Sequence, residues 1–73
     1  MTYTLKTTKT FDDWLKSLKD LRAYATIQRR LDRVEAGNLG DHKSVGDGIS
    51  EMRIHVGAGY RLYYTLHGRE VVF

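Results

Sequence analysis

Apolar and polar positions change period along the chain, and the changes mark its elements. Thr2 to Lys6 carries the β-formers Tyr3 and Thr4 and runs into Thr7-Thr8, which predicts a short first strand. From Phe11 the spacing becomes helical. Phe11, Trp14, Leu15 and Leu18 fall on one face, with Asp12 and Asp13 in the first turn and Thr8 or Thr10 as the N-cap. Asp20 caps a second helix whose stripe is Tyr24, Ile27, Leu31 and Val34, and Gly37-Asn38 stops it. Two amphipathic helices with so little chain between them predict an antiparallel helix hairpin. The stretch from Gly37 to Gly48 is rich in Gly, Asp and Asn and reads as a loop anchored by Leu39 and Val45.

The last third alternates. Met52, Ile54 and Val56 point one way and Glu51, Arg53 and His55 the other. After Gly57-Ala58-Gly59 the pattern resumes, with Tyr60, Leu62 and Tyr64 against Arg61, Tyr63 and Thr65. A three-residue loop would pair Val56 with Tyr60, Ile54 with Leu62 and Met52 with Tyr64. A two-residue turn at His67-Gly68 would then set Tyr64 opposite Val71 and Leu62 opposite Phe73. The predicted fold class is α+β: an N-terminal strand, a helix hairpin and a three-stranded antiparallel sheet with one face covered and one open.

Composition narrows the setting. Seventy-three residues allow one domain with a modest core, and no repeat or linker divides residues 1–73. There is no cysteine, so neither a disulfide framework nor a thiolate zinc site is expected, and a reducing cytoplasm fits. No stretch has the length and apolarity of a secretion signal or a membrane span. Twelve Lys and Arg against nine Asp and Glu give a charge of +3, which favours a polyanion or an acidic partner.

The alternation leaves Glu51, Arg53, His55, Arg61, Tyr63 and Thr65 together on the open sheet face. In the predicted register Arg61 lies across from His55 and Arg53 across from Tyr63. The two arginines are then diagonal neighbours, about 7–8 Å apart, and their guanidinium groups can converge on one phosphate. The competing reading is a cross-strand ion-pair ladder on a solvated face. His55 is either a general acid or base or an ordinary surface residue. His42 and His67 have no partner at a metal-binding spacing, so no metal or other cofactor is expected. Gly46-Asp47-Gly48 and Gly57-Ala58-Gly59 precede no helix and read as turns rather than phosphate loops. Arg22, Arg29 and Arg33, with Arg30 at the edge, form a basic stripe on the second helix that is either solvated or directed at RNA phosphates.

The run Gly46-Asp47-Gly48-Ile49-Ser50-Glu51-Met52-Arg53-Ile54, followed by Gly57-Ala58-Gly59-Tyr60-Arg61-Leu62-Tyr63-Tyr64, resembles the RelE/ParE toxin superfamily. It looks closest to the HigB-like addiction module killer branch. Phe11-Asp12-Asp13-Trp14-Leu15 and the run from Arg30 to Asp41 resemble it too, in the same order. The resemblance implies the toxin of a type II toxin–antitoxin system that cleaves messenger RNA on the ribosome as a metal-independent endoribonuclease. It implies Arg61 as the contact to the scissile phosphate, with Arg53 assisting. Glu51 and His55 are then candidates for proton transfer, and Lys43, Arg29, Arg33 and Tyr63 for RNA contact. A cognate antitoxin is the expected partner, masking the Arg53/Arg61 face. Gyrase poisoning of the ParE type, or an inactive scaffold that retains antitoxin binding, are the alternatives. Family members continue past the strand that begins at Glu70, whereas this chain stops at Phe73. The expectation is a domain lacking that last segment, with an exposed edge near Phe73 open to a partner or a second copy.

Overall fold

The computed structural model describes residues 2–73, and its elements run β1 (Thr4–Lys6), α1 (Lys9–Ser17), α2 (Leu21–Glu35), β2 (His42–Gly46), β3 (Ile49–Ile54), β4 (Tyr60–His67) and β5 (Glu70–Val72). Both helices start where the sequence places their caps. The Thr8 side chain accepts from the Phe11 amide, and Asp20 accepts from those of Arg22 and Ala23. Helix α2 closes on paired bonds, Asn38 N–H to the Arg33 carbonyl and Gly37 N–H to the Val34 carbonyl, which satisfy carbonyls that a helix end leaves orphaned.

The sheet has five strands in the order β1-β5-β4-β3-β2. It exceeds the three-stranded sheet read from the sequence by a strand on each side. β2 arises inside the segment read as a loop and pairs antiparallel with β3, Lys43 opposite Glu51 and Ser44 opposite Ser50. β1 pairs in parallel with β5, Leu5 opposite Val71. β5 is therefore not the edge expected near Phe73, since β1 covers it, and the sheet's outer strands are β1 and β2.

Both hairpins differ from the predicted register by two residues. In the first, Arg53 pairs with Arg61, Met52 with Leu62 and Ile54 with Tyr60. The Gly59 amide donates to the Val56 carbonyl at 2.9 Å. That bond draws Val56 into the turn and out of the ladder. In the second, His67 pairs with Glu70 and Thr65 with Val72, so the turn is Gly68-Arg69 rather than His67-Gly68. Gly68 has φ +61 at the first central position, where the hairpin turn that matches strand twist calls for glycine. A slip of two preserves side-chain direction, so the predicted faces survive.

One face is the core. Met52, Ile54, Leu62, Tyr64, Val71 and Phe73 pack against Leu15 of α1 and against Ile27, Leu31 and Val34 of α2. Fully buried Ala23 heads the α2 stripe instead of Tyr24, which is 37% exposed. Phe11, Trp14 and Tyr60 close the α1 end through tilted and edge-on ring contacts, with Trp14 and Tyr60 centroids 6.3 Å apart.

Candidate functional site

The opposite face carries the odd-numbered side chains of β3 and β4. Pairing places them in rows. Lys43, Glu51 and Tyr63 lie side by side across β2, β3 and β4, and Arg53 faces Arg61 in the next row. Residues directly opposite in an antiparallel pair have Cα atoms about 4.5–5.5 Å apart. The arginines are thus closer than the diagonal placement predicted for them, and His55 stands beyond the ladder instead of across from Arg61.

Glu51 departs most from its expected setting. Read as exposed, it is only 5% accessible. A charged side chain is rarely buried without a partner. Here Arg53 Nε lies 3.4 Å from Glu51 Oε1, and Arg61 Nε lies 4.0 Å from the same oxygen. The Arg53 Nε–H is itself buried and points along no acceptor, so the contact is an ion pair without a hydrogen bond. One carboxylate thereby supplies the counter-charge for two cross-strand guanidinium groups. Their free ends differ in reach, with side chains 38% exposed for Arg53 and 67% for Arg61.

Beside the arginines a cleft opens, lined by Arg53, Ile54, His55, Ala58, Gly59, Tyr60 and Arg61. His55 is on its rim, with Nε2 2.8 Å from Asp41 Oδ2. This hydrogen bond is the main reason that the Asp41 carboxyl is held below the ordinary carboxylate value; Arg53 adds a smaller pull in the same direction. Below the arginine row the same face turns apolar. Ile49, Tyr63, Thr65 and Val72 line a shallow depression, and Tyr63 is 52% exposed.

The structure brings together Lys43, Glu51, Arg53, Arg61 and Tyr63 from the predicted set, with His55 adjoining. It does not add Arg29 and Arg33. Both are exposed on α2, which packs on the apolar face, so the sheet stands between them and the arginine row. Arg30 has a different part from the stripe assigned to it. Its guanidinium donates to the carbonyls of Arg53 at 2.7 Å, Leu39 at 3.3 Å and Asp41 at 3.4 Å. Burial lowers its pKa, and the Asp41 charge works against that. Asp41 had no role in the sequence reading. The available signal was its position directly before β2, visible only once β2 itself is known.

Among the described residues no group of three or more His, Asp or Glu side chains is arranged to hold a metal ion. Nor, among the described residues, is any helix long and apolar enough to cross a membrane. The chain is similar to an uncharacterized protein of Haemophilus influenzae, 59% identical over 63 residues, which span 86% of this chain and 64% of that relative. No family model matches the chain. No solved structure matches it either.

Proposed function

We propose that this chain is the toxin of a type II toxin–antitoxin pair, of the RelE/ParE kind with HigB-like features, and that it cleaves messenger RNA on the ribosome in the cytoplasm. The observation that carries the reading is the pair Arg53 and Arg61, directly opposite one another on an open sheet face above a buried carboxylate. Two guanidinium forks so placed match the planar, multiply hydrogen-bonding geometry of a phosphodiester. Ion pairing to Glu51 restrains them before substrate arrives, which lowers the cost of organising them around developing charge.

In this mechanism Arg61 and Arg53 hold the scissile phosphate. The 2′-hydroxyl of the preceding ribose attacks phosphorus as His55 on the cleft rim takes its proton, and the bond from phosphorus to the 5′-oxygen breaks with its electron pair on that oxygen, which takes a proton from water. Glu51, a proton-transfer candidate in the sequence, is buried beneath both guanidinium groups. We assign it to holding them in place. Tyr63 and the depression beside it suit a base splayed from the single strand, because an exposed aromatic ring stacks on a nucleobase. Lys43, cross-strand from Glu51, extends the cationic row toward a neighbouring phosphate. An antitoxin that neutralises such a surface would present an acidic or amphipathic segment that folds on binding.

The test is induction in cells of the wild-type chain and of Arg53→Ala and Arg61→Ala. Loss of growth arrest and message cleavage in both variants, with folding intact, is the expected result. If both variants arrest growth and cut messages as the wild type does, the phosphate clamp is wrong.

A further inference from the structure

Strand β3 ends at Ile54, and its last open-face residue, Arg53, has lost its regular ladder partner on the β2 side. The Arg53 amide still donates to the Asp41 carbonyl at 3.0 Å. Its carbonyl accepts from Arg30 Nη1, a side chain of α2, at 2.7 Å. Arg30 Nη2 also reaches the carbonyls of Leu39 and Asp41. One guanidinium thus ties α2, the segment leading into β2 and the end of β3 through three main-chain oxygens. The backbone at Gly40 favours glycine, and any side chain there would also push the guanidinium from its place. A Cβ on Gly40 would come within 2.6 Å of Arg30 Nη2, and Gly40 has φ +65, a backbone region that other residues rarely adopt.

The segment tied down in this way carries Asp41, whose carboxylate holds His55 Nε2 at 2.8 Å. We propose that Arg30 and Asp41 are positioning residues for His55. Arg30 fixes the main chain beneath both Asp41 and Arg53. Asp41 engages Nε2, so that Nδ1 is the ring nitrogen left free for a substrate proton. The proposal rests on the nuclease reading given above. In the step it describes, Nδ1 takes the proton of the 2′-hydroxyl while that oxygen forms a bond to phosphorus. The bond from phosphorus to the 5′-oxygen breaks with its electron pair on oxygen, which takes a proton from water. An imidazole bonded to a carboxylate through one nitrogen is fixed in orientation, and the carboxylate stabilises the imidazolium that forms. The charged groups around His55 are Asp41 before β2, Arg53 on β3, Arg61 on β4 and Arg30 on α2. Asp20 at the α2 N-cap adjoins the same loop, with Oδ2 3.1 Å from the Cβ position of Gly57.

The experiment measures message cleavage on programmed ribosomes by the full chain, as separate kcat and KM across pH, for wild type, Asp41→Ala, Asp41→Asn, Arg30→Lys and His55→Ala. Asp41→Ala and Arg30→Lys are expected to lower kcat about 10–100-fold, less than the roughly 10²–10⁴ of a whole general base. In Asp41→Ala KM should stay within about twofold, because Arg53 and Arg61 still bind the phosphate, whereas Arg30→Lys, which also loosens the main chain of Arg53, should raise KM as well. The pH–rate profile of Asp41→Ala should differ from wild type, and Asp41→Asn, whose oxygen can still accept, should retain more activity than Asp41→Ala. Unchanged kcat in Asp41→Ala would overturn the proposal, as would full activity in His55→Ala; an inactive Arg61→Ala beside either result would leave the nuclease reading standing.

A second readout needs no activity. In nitrogen NMR spectra the neutral His55 ring should favour the Nε2–H tautomer in wild type and lose that preference in Asp41→Ala. In His55→Ala the Asp41 carboxyl should titrate at higher pH, since its principal hydrogen bond is gone. If the wild-type chain cleaves nothing, the nuclease reading fails, and these spectra still decide whether Asp41 holds the ring.

Discussion

Alternate residues of the same two strands build two surfaces with opposite logic. Met52, Ile54, Leu62 and Tyr64 are dry and packed under the helices. Glu51, Arg53, Arg61 and Tyr63, one residue out of phase, form an open face organised by charge. On the first, a side chain matters for its volume and contacts. On the second, it matters for where its charge sits relative to its cross-strand neighbour. The faces also fail differently. Among the described residues each face holds a buried polar atom without a well-formed hydrogen bond, the Tyr64 hydroxyl on the closed face and Arg53 Nε on the open one, but only the open face also buries a whole carboxylate and depends on two arginines to compensate it.

The largest effect should come from the closed face. Ile27 is fully buried, and Ile27→Ala should cost about 2–5 kcal/mol. At roughly 0.05–0.15 kcal/mol per residue the whole chain holds only about 4–11 kcal/mol, so urea denaturation should show a midpoint lowered by a large share of the total. A loss below about 1 kcal/mol would mean that the core is looser than described.

Arg61→Ala should separate the faces most cleanly. Arg61 is exposed but shares the buried Glu51 carboxylate with Arg53, so with Arg53 still in place the substitution should lower stability by no more than about 1 kcal/mol. Message cleavage should nevertheless fall by about 10²–10³-fold, the scale for a group that stabilises developing charge. Equal losses of stability and cleavage would erase the distinction.

Glu51→Gln sharpens the comparison from the other side, because it keeps shape and removes the shared counter-charge. Like charges directly opposite in a sheet are destabilising by about 0.2–1 kcal/mol, and stability should fall by about that much. The site becomes more cationic but less ordered, so KM should hold or drop while kcat falls about tenfold. A raised KM with unchanged kcat would mean that Glu51 contacts substrate itself.

Element types were legible in the sequence because their causes are local. Thr8 and Asp20 cap helices by side-chain oxygens placed at the first turn, and Met52, Ile54, Leu62 and Tyr64 declare their face by alternation. β2 was not legible. Every residue from His42 to Gly46 is exposed, so no apolar period exists there, and the strand forms only because β3 offers it an edge. The parallel pairing of β1 with β5 joins distant parts of the chain and leaves no local trace.

Which strand residues share the open face was legible, and how they stand relative to one another was not. Parity placed Arg53 and Arg61 on one face under either register, whereas their direct opposition depends on Val56 joining the turn. Glu51 looked exposed because a polar residue at an alternating position normally is. It is flanked by Lys43 and Tyr63 and engaged by both arginines, and Lys43 becomes a neighbour only through β2. For the same reason Asp41 and Arg30 could not be read as partners of His55 and Arg53.

The smallest effect returns to the closed face. Tyr64→Phe removes a buried hydroxyl whose contact with Ser50, opposite it on β3, falls short of a well-formed hydrogen bond, and should change stability by less than about 1 kcal/mol. Burial raises the Tyr64 pKa above 10.0. Stability from keeping this phenol neutral is therefore fully present below pH 10 and lost as pH rises through the higher folded value. The wild type should weaken in that alkaline window more than Tyr64→Phe does, as thermal melts from pH 9 upward would show. Parallel loss in both would contradict the burial argument.

The central claim is that the opposed arginines are a phosphate clamp for RNA cleavage. Its most direct test is mapping of message 5′ ends by primer extension after induction of wild type, Arg53→Ala and Arg61→Ala, beside a gyrase supercoiling assay on the same proteins. New 5′ ends within coding regions are expected for the wild type, with their loss in both variants and undisturbed gyrase. Unchanged ends in the variants, or inhibited gyrase with messages intact, would contradict it.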